Sequence, residues 1–384
     1  MATRVLLLQD AAHLPSFGGG NKANRLLLEA LAARGFDCRM VSRAPGDRGA
    51  LSHEFGARGL AARGVSVEAD GGYRFRGVGV TPMDFAAPDA GARLAALVAD
   101  FDPDWILASD DRPALFLGAG LRHAPERTIA LVHTHYHLPF GPEAERPDPV
   151  RHDQLRRARS VVAVSEYSRG YLREWGGIES KLLRFPVFGS SSFAPPAPPG
   201  GFVAMINPCH AKGLPIFLAL AERFPETPFA AAPTWGADAA VLEALTRLPN
   251  MTILDPADDI GALLARVRVL LAPSMTPETF GYVAIDAMLR GVPVLAGDLG
   301  GQPEAKLGVD FVLPVNGAIE PWAEALETLL ADPQAWRRLS EQSRAAAQRF
   351  LPETDADHFI RYLGALSAPT RGAPLPDRRP AARG

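Results

Sequence analysis

Cysteine is scarce in this chain of 384 residues, which contains only Cys38 and Cys209. A disulfide framework or a cysteine-based zinc site needs several cysteines at suitable spacing, so two isolated thiols exclude both. We expect both cysteines to be free, as is usual in a reducing compartment.

Long apolar runs are missing as well, although 47% of the residues are hydrophobic. No window reaches the ~20 apolar residues with which a helix crosses a bilayer. The run at residues 5–8 is too short for the apolar part of a secretory signal peptide. These absences predict a soluble, cytoplasmic protein without a transmembrane segment.

Neither sign of charge dominates the composition. Lys and Arg together number 40, Asp and Glu number 43, and the net charge is −3. A protein that binds nucleic acid usually carries an excess of positive charge, so we expect no nucleic-acid partner. The length exceeds the size at which a single core stops growing, which predicts two domains.

Apolar runs of strand length alternate with helical patterns along the chain, as in α/β proteins with parallel sheets. One hairpin is predicted at residues 65–69 and 73–78, with its turn at residues 70–72. The segment 189–200 is rich in Ser, Pro and Gly, so it has the composition of a linker between domains. Residues 367–384 carry no core-forming pattern and should form a disordered tail.

A strand, a loop, a helix and a second strand follow one another in the most informative part of the chain. An apolar run at residues 267–272 ends before Pro273, residues 282–289 have apolar side chains at helical spacing, and residues 292–296 again resemble a strand. Such a unit forms a right-handed parallel crossover, and ligands bind at the carboxyl ends of its strands. This predicts a ligand site at residues 274–281.

Two carboxylates, Glu278 and Asp286, flank the start of the predicted helix. At helical rise their backbones are at most ~12 Å apart, which suits the sugar and the ribose of one nucleotide sugar. Each carboxylate can accept hydrogen bonds from both hydroxyls of a vicinal diol. Gly281 lets a ligand approach the backbone closely, and the amides at the helix start favour an anion.

Five segments in register carry a resemblance to a known family. They are Pro273-Ser274, Glu278-Thr279-Phe280-Gly281, Asp286-Ala287-Met288, Gly291-Val292-Pro293-Val294 and Gly300-Gly301-Gln302-Pro303-Glu304. Together they resemble the signature of the retaining glycosyltransferases of family four, with its E-x7-E element. Asp286 departs from that element, because the family has Glu as the second acid.

The resemblance implies an α/β protein of the GT-B type, with two Rossmann-like domains that face each other across a cleft. Residues 1–190 would form the N-terminal domain on the acceptor side, and residues 200–350 the C-terminal domain that binds the nucleotide sugar. A last helix at residues 353–366 would cross back onto the first domain.

The resemblance also assigns roles in the second domain. Glu278 would hold hydroxyls of the donor sugar, and Asp286 would hold the ribose. Lys212, from the Lys-Gly step of the family, would neutralise the leaving diphosphate, helped by the backbone amides of Phe280 and Gly281. Glu278 and Lys212 are therefore expected to be catalytic as well as donor-binding.

In the first domain a glycine run precedes a helix that is predicted from about residue 22. Gly19 and Gly20 would approach the donor diphosphate from this side. His133, at the end of a predicted strand, would act beside the transferred sugar, and His135 and His137 would line the acceptor side. Alternating histidines in an extended chain share one face, so a metal site is one alternative, although a further ligand would be needed. For His135 and His137 a purely structural role is the other alternative.

A second departure is the absence of an arginine that the family usually has about five residues before the lysine. Asn207 stands there instead. His210 or Arg184 is expected to supply the missing positive charge.

The function expected from the resemblance is transfer of a hexosyl or deoxyhexosyl group from a nucleoside-diphosphate donor to a hydroxyl acceptor, with retention of the anomeric configuration. The acceptor would be a small metabolite, a natural product or a glycan. No metal and no other cofactor is expected. A nucleotide-sugar epimerase of the same fold and a catalytically silent nucleotide-sugar-binding paralogue are the alternatives, and the sequence does not identify the base, the sugar or the acceptor.

Overall fold

The computed structural model describes residues 2–14, 16, 18–44, 63–185, 201–255 and 260–366. Two separate sheets, one of eight strands and one of six, are each flanked by helices. This confirms the predicted α/β fold with two Rossmann-like domains. The predicted linker, residues 189–200, and the predicted disordered tail, residues 367–384, lie outside the described residues.

The first sheet has the spatial order β3-β4-β2-β1-β5-β6-β7-β8, and every pair is parallel except β3 with β4. Its strands are β1 (Arg4–Gln9), β2 (Asp37–Arg43), β3 (Tyr73–Phe75), β4 (Val78–Met83), β5 (Trp105–Ser109), β6 (Thr128–Val132), β7 (Ser160–Ala163) and β8 (Lys181–Leu182). Its helices are α1 (Gly19–Ala33), α2 (Ala90–Phe101), α3 (Phe116–His123), α4 (Pro149–Arg157) and α5 (Glu166–Gly176).

The second sheet is parallel throughout, in the order β11-β10-β9-β12-β13-β14. Its strands are β9 (Phe202–Ile206), β10 (Phe229–Ala232), β11 (Met251–Ile253), β12 (Val267–Ala272), β13 (Val294–Gly297) and β14 (Val312–Leu313). The helices that follow are α6 (Leu214–Arg223), α7 (Ala239–Thr246), α8 (Ile260–Leu264), α9 (Tyr282–Leu289), α10 (Gln302–Ala305), α11 (Glu320–Ala331), α12 (Pro333–Ala347) and α13 (Pro352–Leu366).

The central strands are mostly apolar because helices cover both faces of each sheet. All residues of β5, β6 and β10 are buried. Strands of parallel sheets therefore appear in the sequence as continuous apolar runs rather than as alternating patterns. One cluster of buried side chains continues from the first domain into the second, so the two domains share a hydrophobic contact.

The predicted hairpin is wrong in its register. β3 and β4 turn at Arg76 and Gly77, whose φ angles of 44° and 84° are both left-handed. Two consecutive left-handed residues form the tight turn that matches the twist of a hairpin. The expected turn at residues 70–72 closes only an isolated bridge between Val67 and Tyr73.

The last helix, α13, lies against the first domain. Asp357 of α13 pairs with Nε of Arg34 at 2.9 Å, and the ring of Phe359 packs against that of Phe185 with centroids 5.8 Å apart. The chain thus returns to its N-terminal domain after it has completed the second sheet. Within the part of the chain that the structure describes, no helix combines the length and the apolar composition needed to cross a membrane.

Lys306 is an unusual element of the second core, because its side chain is 0% exposed. Among the described residues, the ammonium of Lys306 donates one hydrogen bond, to the carbonyl oxygen of Val294 at 2.6 Å. Burial lowers the pKa of the ammonium to about 7, and Asp310 opposes the shift. The unfolded chain keeps its ordinary lysine pKa, so it binds more protons than the fold between about pH 7 and pH 10.5.

We predict that Lys306→Met raises the free energy of unfolding at about pH 6 by up to about 5 kcal/mol. The loss of the hydrogen bond to the Val294 carbonyl reduces this gain. The gain should shrink as the pH rises through the window above 7, because the wild-type fold regains stability there. Urea unfolding at about pH 6 and pH 10 measures this. The exposed Lys181→Met is the matched control, and a gain that did not depend on pH would contradict a neutral buried lysine.

Candidate active site

The direction in which the chain adds strands to the second sheet reverses between β9 and β12. From β9 the chain adds β10 and β11 on one side, and it then returns to add β12, β13 and β14 on the other. Ligands of open α/β sheets bind at such a switch point, beyond the carboxyl ends of the strands. Here the two loops at the switch point are residues 207–213 and 273–281.

An ion pair joins these two loops. The ammonium of Lys212 contacts Oε1 of Glu278, and Oγ of Ser274 donates to the same oxygen at 2.5 Å. Burial by itself would raise the pKa of Glu278, but Lys212, Ser274 and His135 outweigh it and hold that pKa below its ordinary value. The structure thus brings together two predicted site residues and keeps the carboxylate ionised at neutral pH.

Glycine is needed where the loops around this ion pair pack most tightly. A β-carbon on Gly300 would lie 2.4 Å from the carbonyl oxygen of Glu278, and one on Gly213 would lie 2.0 Å from that of Pro273. Gly213 also has a left-handed φ of 90°. Side chains at either position would push apart the backbones that carry Lys212 and Glu278.

Helix α9 begins where the sequence predicts, with Gly281 before it at φ = 108°. The side chain of Phe280 is buried, and its ring packs against Tyr282 and Phe350. Only the backbone of Phe280 is therefore placed to contact a donor. Asp286 is 5% exposed in the second turn of α9, and its role as a ribose ligand stays a prediction.

The glycine run of the first domain lies against the same region. Helix α1 begins at Gly19 and not at residue 22, so Gly19 and Gly20 form its first turn. A β-carbon on Gly19 would lie 2.8 Å from Cδ2 of Tyr282 in the second domain, and one on Gly20 would lie 2.6 Å from Cβ of His133. These glycines therefore let the second domain and His133 approach the start of α1. Diphosphate binding by the same two residues stays a prediction.

His133 follows β6 and is buried. Its Nε2 is 2.8 Å from Oδ1 of Asn24, whose Nδ2 donates to two other side chains, Gln9 and Ser109. Because an amide oxygen only accepts, Nε2 carries the proton and Nδ1 keeps its lone pair. Burial lowers the pKa of His133, against the opposing charge of Asp110, so the ring is neutral at pH 7. Nδ1 has no hydrogen-bond partner within the described residues.

His135 does not line open space on the acceptor side as predicted. Its side chain is 0% exposed. Its backbone N–H and its Nδ1 lie 3.1 and 2.9 Å from Oγ1 of Thr279, and its Nε2 lies 2.6 Å from Oε2 of Glu143. Since Thr279 belongs to the second domain, His135 connects the two domains. The reason is local: residues His135–His137 form a 3-10 turn and not an extended chain, so the alternating histidines do not share a face.

His137 lines a pocket at the carboxyl ends of β5 and β6, together with Asp110, Thr134 and Arg151. Its ring lies between two acids, 3.9 Å from Asp110 and 3.9 Å from Glu145. The three histidines thus have different partners. In the described ranges no three His, Cys, Asp or Glu side chains are grouped as a metal site requires.

Asn207, which replaces the usual arginine, has a structural role. Its Oδ1 accepts a hydrogen bond from Oγ1 of Thr234 at 2.6 Å and another from the backbone N–H of Gly236 at 2.9 Å. Its φ of 56° is left-handed, a conformation that asparagine tolerates better than most residues. His210, one proposed substitute cation, is exposed three residues further on.

Contacts between the domains involve Glu304 and Ser165, to which the sequence assigned no role. The carboxylate of Glu304 accepts a hydrogen bond from the backbone N–H of Glu166 at 2.7 Å, at the start of α5, and pairs with Arg184. Oγ of Ser165 donates to the carbonyl oxygen of Thr279. Arg184, the other proposed substitute cation, is therefore engaged in the interdomain contact.

Asp110 is a further residue that the sequence reasoning missed. It follows β5 with φ = 39°, and its Oδ1 accepts hydrogen bonds from the backbone N–H groups of His133 and Thr134 at 3.0 and 3.1 Å. Burial would raise the pKa of Asp110, but His137, His133 and Thr134 hold it below its ordinary value. A polar residue directly after a buried strand is the signal that could have identified it.

Two facing Rossmann-like domains, with a lysine and a glutamate at the switch point of the second, define a protein of the GT-B class. Two family profiles match the chain: "Glycosyltransferase Family 4" at residues 17–185 and "Glycosyl transferases group 1" at residues 200–332. The chain belongs to the family 4 glycosyltransferases.

Curated relatives are similar over a smaller part of the chain. The D-inositol 3-phosphate glycosyltransferase of Gordonia bronchialis is 35% identical over 124 residues, which are 32% of this chain and 26% of the relative. That of Segniliparus rotundus is 37% identical over 143 residues, 36% of this chain and 31% of the relative. The matches thus span only about a quarter to a third of the relatives' length.

Solved structures match almost the whole chain in fold. Sucrose-phosphate synthase from Thermosynechococcus elongatus superposes with a TM-score of 0.73 at 20% identity, over 95% of this chain and 100% of that one. HepE from Anabaena, in complex with UDP-glucose, gives a TM-score of 0.72 at 18% identity, over 94% and 99%. At this identity the likeness establishes the GT-B fold alone.

We predict that Gly19→Ala weakens the contact between the domains, because its β-carbon would meet the ring of Tyr282. Overpacking of this kind costs about 1–3 kcal/mol. We expect a lower Tm and a larger radius of gyration in small-angle X-ray scattering. Gly170→Ala, in α5 with open space around its β-carbon, is the matched control and should leave both values unchanged or raise the Tm. An equal response of the two variants would rule out a specific role for Gly19.

Proposed function

We propose that this protein transfers a hexosyl or deoxyhexosyl group from a nucleoside-diphosphate sugar to a hydroxyl acceptor, with retention of the anomeric configuration. The observation that carries the proposal is the Lys212–Glu278 pair at the switch point of the second sheet, opposite Gly19, Gly20 and His133 of the first domain. Family membership and the names of the similar proteins support the same reaction class.

The ion pair provides a positive charge for the diphosphate of the donor and a negative charge for the hydroxyls of its sugar. The bond from the anomeric carbon to the diphosphate breaks with the electron pair on the phosphate oxygen, so negative charge develops there. An ammonium placed against that oxygen stabilises the transition state more than the ground state. Lys212 would exchange Glu278 for the diphosphate, and the carboxylate of Glu278 would then accept hydrogen bonds from hydroxyls of the sugar.

His133 would orient the sugar and not act as the base. Burial lowers its pKa, which makes the ring a weaker base, and Asn24 fixes its tautomer so that Nδ1 can accept a hydrogen bond from a sugar hydroxyl. A donor phosphate oxygen on the same face of the sugar as the leaving group can take the proton of the acceptor hydroxyl. Attack from that face keeps the anomeric configuration, as the family implies.

The acceptor would bind at the carboxyl ends of β5 and β6, where Tyr136 and His137 follow β6. Burial, and then the charges of Glu278, Asp110 and Glu145, raise the pKa of the Tyr136 phenol to about 12. These carboxylates therefore lie within electrostatic reach of one hydroxyl group. A hydroxylated small molecule or a glycan end, including a phosphorylated polyol of the kind named in the curated relatives, is the acceptor class to test.

We predict that Lys212→Ala and Glu278→Gln each lower kcat/KM for transfer by at least about 100-fold, because each removes a charge from the reacting region. UDP-, GDP- and dTDP-sugars are first screened by thermal shift, and turnover is then followed by NMR of the anomeric proton. Lys181→Ala, at an exposed position, should match the wild type.

An altered sugar that is still attached to its nucleotide would indicate an epimerase and contradict the proposal. Donor binding without any turnover over a broad acceptor panel, including water, would indicate a silent paralogue. Full activity in Lys212→Ala would remove the lysine from the mechanism.

We propose further that the reaction needs no resident metal or other cofactor, because Lys212 and the amides near Gly281 would provide the positive charge. Dialysis against EDTA should therefore leave kcat/KM within about twofold of its original value, while Lys212→Ala remains impaired. A loss on dialysis that Mg²⁺ or Mn²⁺ restores would assign the charge stabilisation to a metal.

A further inference from the structure

The side chain of Trp235 is unusually exposed to solvent for a large aromatic residue. It is 61% exposed, although a tryptophan buries a large apolar surface when it packs in a core. It belongs to the turn that follows β10, between Thr234 and Gly236. An exposed aromatic ring on an ordered turn at the carboxyl end of a parallel strand is placed to meet a ligand.

The turn that carries Trp235 is held on both sides of the ring. Asn207 accepts hydrogen bonds from Oγ1 of Thr234 and from the N–H of Gly236, the two neighbours of the tryptophan. Gly236 packs so closely that a β-carbon there would lie 2.9 Å from Sγ of Cys209. The backbone on either side of Trp235 is therefore fixed before any ligand arrives, which lowers the entropy lost on binding.

The same contacts place the ring next to the donor loop. Asn207 and Cys209 lie in the loop after β9 that continues directly to Lys212. β10 is the neighbour of β9 in the sheet, and adjacent strands are ~4.8 Å apart. Under the proposed function, Lys212 marks the position of the diphosphate. Glu278 follows β12, which is the other neighbour of β9 in the sheet. Trp235 and Glu278 therefore lie on opposite sides of the diphosphate position.

We propose that Trp235 stacks on the base of the nucleoside diphosphate and that Asn207 acts as its positioning residue. This inference rests on the proposed function. The sugar would lie toward Glu278, the diphosphate beside Lys212 and the base over the β10 turn, in the order in which a nucleotide sugar presents these groups. Stacking does not depend on the identity of the base, because every base has a π face.

The presence of Asn207 in place of the usual arginine is then explained by the two hydrogen bonds that its side chain accepts. A side chain with one short acceptor oxygen can bind both Thr234 and Gly236, whereas a guanidinium only donates hydrogen bonds and cannot accept from either. The chain would thus exchange one charged contact to the phosphates for an aromatic contact to the base.

Titration of the full chain with UDP, GDP and dTDP, followed by tryptophan fluorescence and by calorimetry, tests this proposal. Trp235→Leu should raise the Kd of each nucleoside diphosphate by about tenfold or more and abolish the fluorescence change, while Trp235→Phe should keep most of the affinity. Inorganic pyrophosphate, which has no base, should bind both variants as it binds the wild type. Trp175→Phe, at the other exposed tryptophan, is the control and should keep the fluorescence change.

The outcomes separate this inference from the proposed function. Unchanged Kd values in Trp235→Leu, together with lost binding in Lys212→Ala, would overturn base stacking and leave the donor site in place. Weakened pyrophosphate binding in Trp235→Leu would show a disturbed loop instead of a lost stack. A wild-type protein that binds none of the three nucleotides would overturn both.

Discussion

The active-site hypothesis depends on one contact between the domains, in which the start of helix α5 in the first domain lies against the loop before α9 in the second. Glu304 accepts a hydrogen bond from the N–H of Glu166, and Ser165 donates to the carbonyl of Thr279. The N–H of Glu166 is one of the backbone groups that a helix start leaves without an intrahelical partner, so the Glu304 contact satisfies the start of α5 and joins the domains. The hydroxyl of Ser165, the N-cap of α5, adds the second hydrogen bond between the domains. Thr279 is the residue directly after Glu278, and its position therefore fixes the carboxylate that faces Lys212.

This arrangement gives His135 and Gly19 structural roles at the boundary between the domains. His135 is buried against Thr279, and Gly19 admits the ring of Tyr282, so both act by setting the distance between the two halves of the cleft. His133 and Gly20, in contact with each other in the first domain, are brought to the same boundary. A residue can thus belong to a family signature because it lets two domains meet, and its side chain then never needs to touch a substrate.

Much of this organisation could be predicted because it leaves local signals. Parallel strands covered by helices are largely apolar, and the start of α9 directly after Gly281 follows from a glycine before a helical pattern. The contact of His135 with the second domain could not be predicted, because a 3-10 turn ended the extended chain on which the alternating pattern depended. The hairpin turn was misplaced because residues 70–72 and the pair Arg76-Gly77 both resemble turns, and only pairing with β2 decides between them. The interdomain contacts of Glu304 leave no local signal at all, since their partners lie 138 and 120 positions away.

Asn207 shows how a departure from a family pattern should be interpreted. Judged by charge alone, the loss of an arginine at a phosphate-binding loop predicts weaker donor binding, because a guanidinium is the best match to a phosphate. Yet the structure gives the asparagine two hydrogen bonds and a left-handed backbone that it tolerates well. The Oδ1 of Asn207 thus positions the turn on both sides of Trp235, the only large side chain between Thr234 and Gly236. Under the proposed function, the electrostatic contribution to donor binding would come mainly from Lys212, and its dependence on ionic strength should be correspondingly small, because fewer ion pairs would form on binding.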